Sequence, residues 1–525
     1  MRFSLSVTSL LAFVTAGAPA LAAPVNVSTV AQLRAALADA EAGDEIILAA
    51  GTYAVSGGNL SCSANATPQN PIVVRSATPL AAKLELSTTE GFLVTGSSWH
   101  FVGLDVKGTC ATDSACEHAF HVTAGATGFV LRGSRVVDFN AQLKVNAATG
   151  GSAIPHRGLV ENCELFDSRA RNTGNPVTKL NIDTGDDWVV RANYIHDFHR
   201  TSSSPTYGAF MKSGGRNGLF ERNLVLCTKD ETTAGVYIGL SFGGGGTGAA
   251  FCAPAFDANV PCATEHYSGT MRNNVIANCS DVGIYINRGA NTKLLHNTLI
   301  ATSGIDYRFA TSSGEARGNV LSGVIRNREG STHTAADNLS SVTLATFQAM
   351  YLAPLSGDLR RKGDLAALIG KGPMLADVPN DYCARTRSGT WDLGALQHAL
   401  GDCVTVPPPG SASGAGGTGG GAGTAGTGGG GAGAGAGGNA GNAGSSSGGT
   451  AGSSAGSAGR ATGGSSGSGG TVSGAGGGAS GSAGTRGGSD DDDGGGCGIA
   501  RGRNGMGAAL GALIIAALLR RRRLG

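Results

Sequence analysis

The chain has 525 residues, 89 of them glycine, and a formal net charge of +2 from 39 basic and 37 acidic side chains. So even a balance over so long a chain supplies no basic field for a nucleic-acid partner, and any electrostatic argument has to be local. Ten of the eleven cysteines lie at or before residue 403, with no C-x-x-C pair and no Cys/His cluster, which disfavours a thiolate zinc site and fits an oxidising compartment.

Residues 1–22 begin with Arg2, continue through a mostly apolar stretch from Leu5 to Leu21 and close on Ala20-Leu21-Ala22. That pattern predicts a secretory signal peptide cut after Ala22, since a cut after Ala23 would leave Pro24 just past the scissile bond. The folded domain is expected over 23–406. Its first element is a helix capped by Ser28 or Thr29, with Val30, Leu33, Ala36 and Leu37 on one face. Strands follow at Gly43 to Leu48 and Gly51 to Tyr53, and an amphipathic helix in that position would cover the open first coil of a solenoid.

From there the sequence repeats. Gly133-Ser134-Arg135-Val136, Glu161-Asn162-Cys163, Ala192-Asn193-Tyr194, Arg222-Asn223-Leu224, Asn273-Asn274-Val275, His296-Asn297-Thr298, Gly318-Asn319-Val320 and Asp337-Asn338-Leu339 share one pattern. Each unit has a β-branched-rich piece before the asparagine and another after it, which suits short strands on a coil. The domain is therefore read as an all-β solenoid of roughly nine or more coils without a second globular core. At an inward bend the asparagine amide can bond its counterparts one coil above and below, so these residues are read as scaffold. Cys110 with Cys116, Cys252 with Cys262, and Cys383 with Cys403 are near enough in sequence to close loops as disulfides.

Function has to lie in what the repeat does not require. Counting back from the asparagines places Asp183, Lys212, Arg288, Arg308 and Arg326 at comparable positions, which predicts a mostly basic column that a polyanion would complement. One spacing is long, and the extra residues, Gly243 to His266, would form a loop beside the column held by Cys252 and Cys262. His266 is a candidate second acid/base group. The alternative is that the loop only covers a widened coil.

The N-terminal stretch, and Asp381 through Arg385 to Asp392-Leu393-Gly394-Ala395-Leu396-Gln397, resemble the cap and the closing D-x-G-A-x-E segment of the pectate-lyase-like superfamily. The resemblance implies a right-handed parallel β-helix. Met211-Lys212-Ser213-Gly214-Gly215-Arg216-Asn217 resembles the V-K-S-x-x-N motif of the alginate lyase and chondroitinase B family. That resemblance implies Lys212 as the base that takes the proton beside a uronate carboxylate, with an arginine, here Arg288, as charge stabiliser. Arg216 beside the lysine and Arg308 and Arg326 of the basic column are the candidate substrate-binding cations. The family's L-R-H-G should follow within one coil; here that place reads Tyr237 to Gly244, and Arg288 arrives about two coils on. Calcium is the cofactor the resemblance implies, with Asp183, Glu231 and Glu265 as candidate ligands. The expected function is binding, and cleavage by β-elimination, of a uronate-containing polysaccharide; the alternative is a non-catalytic surface adhesin.

Residues 407–489 are almost wholly Gly, Ala, Ser and Thr, a disordered linker that would span roughly 50 Å. Residues 490–525 carry Asp490 to Asp493, Cys497-Gly498, an apolar run from Met506 to Leu519 and Arg520 to Arg523, read as a transmembrane helix with its arginines cytoplasmic. This tail resembles the MYXO-CTERM sorting signal, with Ile499 where members commonly have a second cysteine. The resemblance implies processing by envelope sorting machinery near Cys497, with the domain exported and anchored at the cell envelope.

Overall fold

The computed structural model describes residues 24–244, 252 and 262–403; the predicted signal peptide, linker, tail and Cys497, and most of the 243–266 loop, lie outside them. The chain winds as a right-handed parallel β-helix, each coil laying one short strand on each of three sheets. The first sheet has 12 strands, from Val25–Val27 to Thr334–Ala336. The second has 10, from Gly51–Val55 to Val320–Leu321, and the third 10, from Leu60–Cys62 to Val324–Arg328. Strand alternation explains the core: in Ala82–Leu86, Ala82, Leu84 and Leu86 are buried while Lys83 and Glu85 face solvent. Inside the coils Phe92, Phe101, Phe120 and Phe129 pack with ring centroids 5.0 to 6.0 Å apart, Phe92 and Phe120 stacked and the others tilted or edge-on. The predicted capping helix is Val30–Ala38, where Thr29 Oγ1 accepts the Gln32 N–H at 3.2 Å and Leu33 and Leu37 are buried.

The ladder between the first and second sheets is present, with one correction. Asn193 Nδ2 donates to Asn223 Oδ1 at 3.1 Å, Asn223 Nδ2 to Asn274 Oδ1 at 2.9 Å, and the chain of amides continues through Asn297 and Asn319 to Asn338. The preceding rung is Cys163, not Asn162: the Cys163 N–H donates to Asn193 Oδ1 at 2.9 Å. Asn162 sits one residue earlier in a left-handed conformation, φ 54°, as do Ala192, Arg222 and Asn273 at the same corner. Asparagine tolerates that conformation, so two different demands place the same residue type side by side.

The coils end near Asn338, and the expectation of a single core fails beyond it. The helix Leu344–Met350 and the segment through Cys403 fold back over the second sheet, where Phe347, Tyr351, Leu365 and Tyr382 pack on Tyr194, Leu224, Val275 and Ile300. The cause is in the strands: Leu224–Leu226 and Val275–Ala277 are apolar on both faces, whereas earlier strands of the second sheet present Lys83, Glu85 and Arg135 outward. Within the Asp381–Gln397 segment, the Gly394 N–H donates to the Gly318 carbonyl and the Ala395 N–H to Thr298 Oγ1, so it lies along the side of the helix. The three anticipated disulfides are formed, and a fourth, Cys227–Cys279, joins neighbouring coils. No described helix is long and apolar enough to cross a membrane.

Candidate functional site

Strands Ala141–Asn146, Thr178–Asp183 and Thr206–Lys212 lie side by side in the third sheet, with Asn146, Asp183 and Lys212 in register. Alternation sends Val145, Ile182 and Met211 into the core, and therefore Lys144, Asp183 and Lys212 to the outer face. There the Asp183 carboxylate takes an ion pair from Lys144 Nζ on one side and from Lys212 Nζ, at 3.0 Å, on the other. Lys144 Nζ also donates to Asn181 Oδ1 at 3.2 Å. Both lysine side chains are only 7% exposed and the carboxylate 4%. Lys212 Nζ stands 4.7 Å from the Phe210 ring centroid, and Phe210 belongs to a small outer apolar cluster with Tyr207, Ile238 and Tyr285. Gly244, at the root of the inserted loop, approaches closely: a Cβ there would come within 3.2 Å of Lys212 Cδ and 3.4 Å of Phe210.

The predicted basic column is broken. Asn287, not Arg288, is in register with Arg308, and Arg288 lies just past the strand in a left-handed corner, φ 61°. Arg326 faces Asp306 across the coils, while Arg328 takes the place opposite Arg308. The last cations of the column also meet acids: Arg326 and Arg328 pair with Asp306, and Arg308 Nε with Glu329 Oε1 at 2.7 Å. Counting from the asparagines assumed coils of equal length, and a slip of one or two residues moves a side chain out of the column. Arg288 does stand two coils beyond Lys212, as predicted, its guanidinium 4.4 Å from the Phe309 ring. Arg216 is exposed and lies 4.8 Å over Tyr267.

His266 is not placed for acid/base chemistry. It is buried, stacked on Phe242 at 4.5 Å and 6°, and its Nε2 accepts the Gly218 N–H at 3.1 Å. Burial pushes its pKa down to about 3. The three carboxylates named for calcium do not converge either. Asp183 holds the lysines, and Glu265 Oε2 accepts the Ser213 N–H at 3.0 Å. Glu231 lies beyond the second sheet, where it accepts N–H groups of Ala170 and Thr233 and lines a cleft of about 400 Å³ with Glu164, Asp167, His196 and Asp197.

Sequence reasoning missed Lys144, which sits two residues before the in-register Asn146 and has no motif around it. It also missed a cluster one coil earlier on the same sheet, Glu90, His118 and His121. Two histidines three residues apart, with an acid 28 residues upstream, were the available signal, once a coil length near 30 was known.

No family model and no curated protein matches the chain. Among solved structures it is similar to the pectate lyase Pel9A at 18% identity and a TM-score of 0.48, over 69% of this chain and 90% of that one. It is also similar to an alginate lyase from Paenibacillus sp. str. FPU-7, at 16% identity and a TM-score of 0.34, over 61% of this chain and 96% of that one. A third, the PL6 family polysaccharide lyase Pedsa3628 from Pseudopedobacter saltans, is 11% identical with a TM-score of 0.34, over 65% and 96% of the two chains.

Proposed function

We propose that this protein binds a uronate-containing polysaccharide on the outer face of the third sheet, centred on Lys212. The observation that carries the reading is the pair of buried ammonium groups, Lys144 and Lys212, converging on Asp183 beside the Phe210 ring. Desolvating two lysines on the outside of a solenoid is costly, and a surface strand offers them cheap exposed positions instead. Their ammonium groups suit a sugar carboxylate. Presentation at the cell envelope, through the leader and the 490–525 tail, belongs to the same proposal.

Cleavage is the second reading, favoured by the setting of Lys212 at the head of Lys212-Ser213-Gly214-Gly215-Arg216-Asn217. As a free amine Lys212 would take the proton from C5 of the uronate, the C5–H electrons would form a C4=C5 double bond, and the C4–O bond would break, its electron pair staying on the oxygen, which takes a proton from water. A lysine base works only as the free amine, so this activity would rise with pH.

The test offers alginate, pectate and glycosaminoglycans to the purified protein at low and high salt. The expected result is binding that weakens with salt and is lost in Lys212→Ala. Ultraviolet absorbance from unsaturated uronate, absent in the same variant, would establish the lyase, and binding without it the adhesin. No binding to any of these polymers at low salt would overturn both.

A further inference from the structure

Glu90, His118 and His121 come from neighbouring strands of the third sheet, Glu90–Val94 and His118–Val122. Glu90 Oε2 lies 3.0 Å from His118 Nδ1 and 3.1 Å from His121 Nδ1, and one ligand atom from each residue falls within 4.8 Å of the others. Bonds of about 2.0–2.1 Å to a tetrahedral zinc ion put ligand atoms about 3.3 Å apart, so two of the three edges are close to that spacing already.

The hydrogen bonds around His121 give an independent reason for a cation there. Asn146 Nδ2 donates to the Ala147 carbonyl at 2.9 Å and to Thr123 Oγ1 at 3.3 Å, which fixes the amide and turns Oδ1 towards His121. His121 Nε2 is 2.7 Å from that oxygen and must donate to it. In the neutral ring Nδ1 then carries a lone pair, and it stands 3.1 Å from a Glu90 carboxylate oxygen without the alignment of a hydrogen bond to it. Two electron-rich atoms at that distance repel, and either a proton or a metal ion shared by them relieves it. A second ring nitrogen bonded to an amide oxygen is also how metal-binding histidines are usually oriented.

We propose that Glu90, His118 and His121 hold one divalent ion of the zinc class, with Asn146 orienting His121 and a further coordination position open to an oxygen ligand. Two imidazoles and a carboxylate suit zinc, whereas calcium takes six to eight oxygens. Solvent reaches the carboxylate, since Glu90 is 26% exposed and borders a cleft of about 380 Å³ lined by Gly57, Gly58, Asn59, Thr88 and Thr89. In register, His121 lies opposite Lys144, so the ion would stand one coil from the lysine cluster.

The test is titration of the chelator-treated full-length protein with Co²⁺, read by its visible bands, followed by displacement with Zn²⁺ and a parallel titration with Ca²⁺. One equivalent of Co²⁺ should bind with four- or five-coordinate bands, Zn²⁺ should displace it and Ca²⁺ should not. Glu90→Gln should weaken Zn²⁺ binding at least about tenfold, and Asn146→Ala by about 10- to 100-fold, with circular dichroism unchanged. If neither metal binds the unmodified protein, or if Glu90→Gln and His121→Ala leave the affinity unchanged, the site does not exist. A protonated His121 bridging Glu90 and Asn146 would give the first of these results. The unmodified protein decides the matter even where a variant misfolds.

Discussion

Replacing His266 by phenylalanine should make the fold less stable at neutral pH and more stable in acid. The imidazole lies flat on Phe242, and phenylalanine can keep that stack. What it cannot keep is the acceptor for the buried Gly218 N–H, a loss of about 1–3 kcal/mol at any pH. The acid side follows from linkage. Burial lowers the His266 pKa from 6.5 in the unfolded chain to about 3, so its contribution is fully present above pH 6.5 and is lost as pH falls from 6.5 towards 3. At about 1.36 kcal/mol per unit, the unmodified protein has given up about 2.7 kcal/mol by pH 4.5, and the variant none of it. The two stability curves should therefore cross between about pH 6 and pH 4. Urea unfolding of both proteins at several pH values between 7.5 and 4.5 measures this. Parallel curves across that range would mean that the ring titrates as an exposed histidine, and would return His266 to the list of acid/base candidates.

Asn223→Ala removes the acceptor for two N–H groups of Asn193 and the donor to the Val190 carbonyl, and should cost about 3–5 kcal/mol; a fall of less than about 1 kcal/mol in chemical denaturation would contradict the ladder's role. Deleting residues 494–525 should release a folded domain into the culture medium, and retention of the shortened protein with the cells would refute the anchoring role of the tail.

The coil was legible in the sequence because its periodic demands are local. A β-branched run, a left-handed corner and an inward amide recur wherever the chain turns from the first sheet to the second. The same redundancy misled at Asn162, where the corner residue looks like the rung and a cysteine occupies the rung itself. Lys212 was readable through its motif, and Asp183 through its offset. Lys144 and the Glu90–His118–His121 cluster were not, since their meaning depends on register between coils of unequal length. The C-terminal cover could have been read from the outward Leu224, Leu226, Val275 and Ala277, which no solvent-facing strand would carry.

Charge stoichiometry alone does not distinguish the Lys212 site from the rest of the helix. Arg132 and Arg191 both meet Glu161, and Arg326 and Arg328 both meet Asp306, two cations to one acid in each case. Those arginines are 35 to 49% exposed, so their guanidinium groups keep much of their contact with water. Lys144 and Lys212 present the same stoichiometry at 7% exposure, where removal from water is expensive. Burial is not sufficient by itself, because Lys179 and Asp167 form a pair with no exposure at all. Lys179 also donates to the Phe139 carbonyl at 2.8 Å, which gives it a structural task inside the turn. Lys212 differs in standing against an aromatic ring and at the root of the disulfide-closed insertion. A buried charge with a carbonyl to satisfy is scaffold; a buried charge that lines a face beside an inserted loop is where a ligand's own charge can replace the water it gave up.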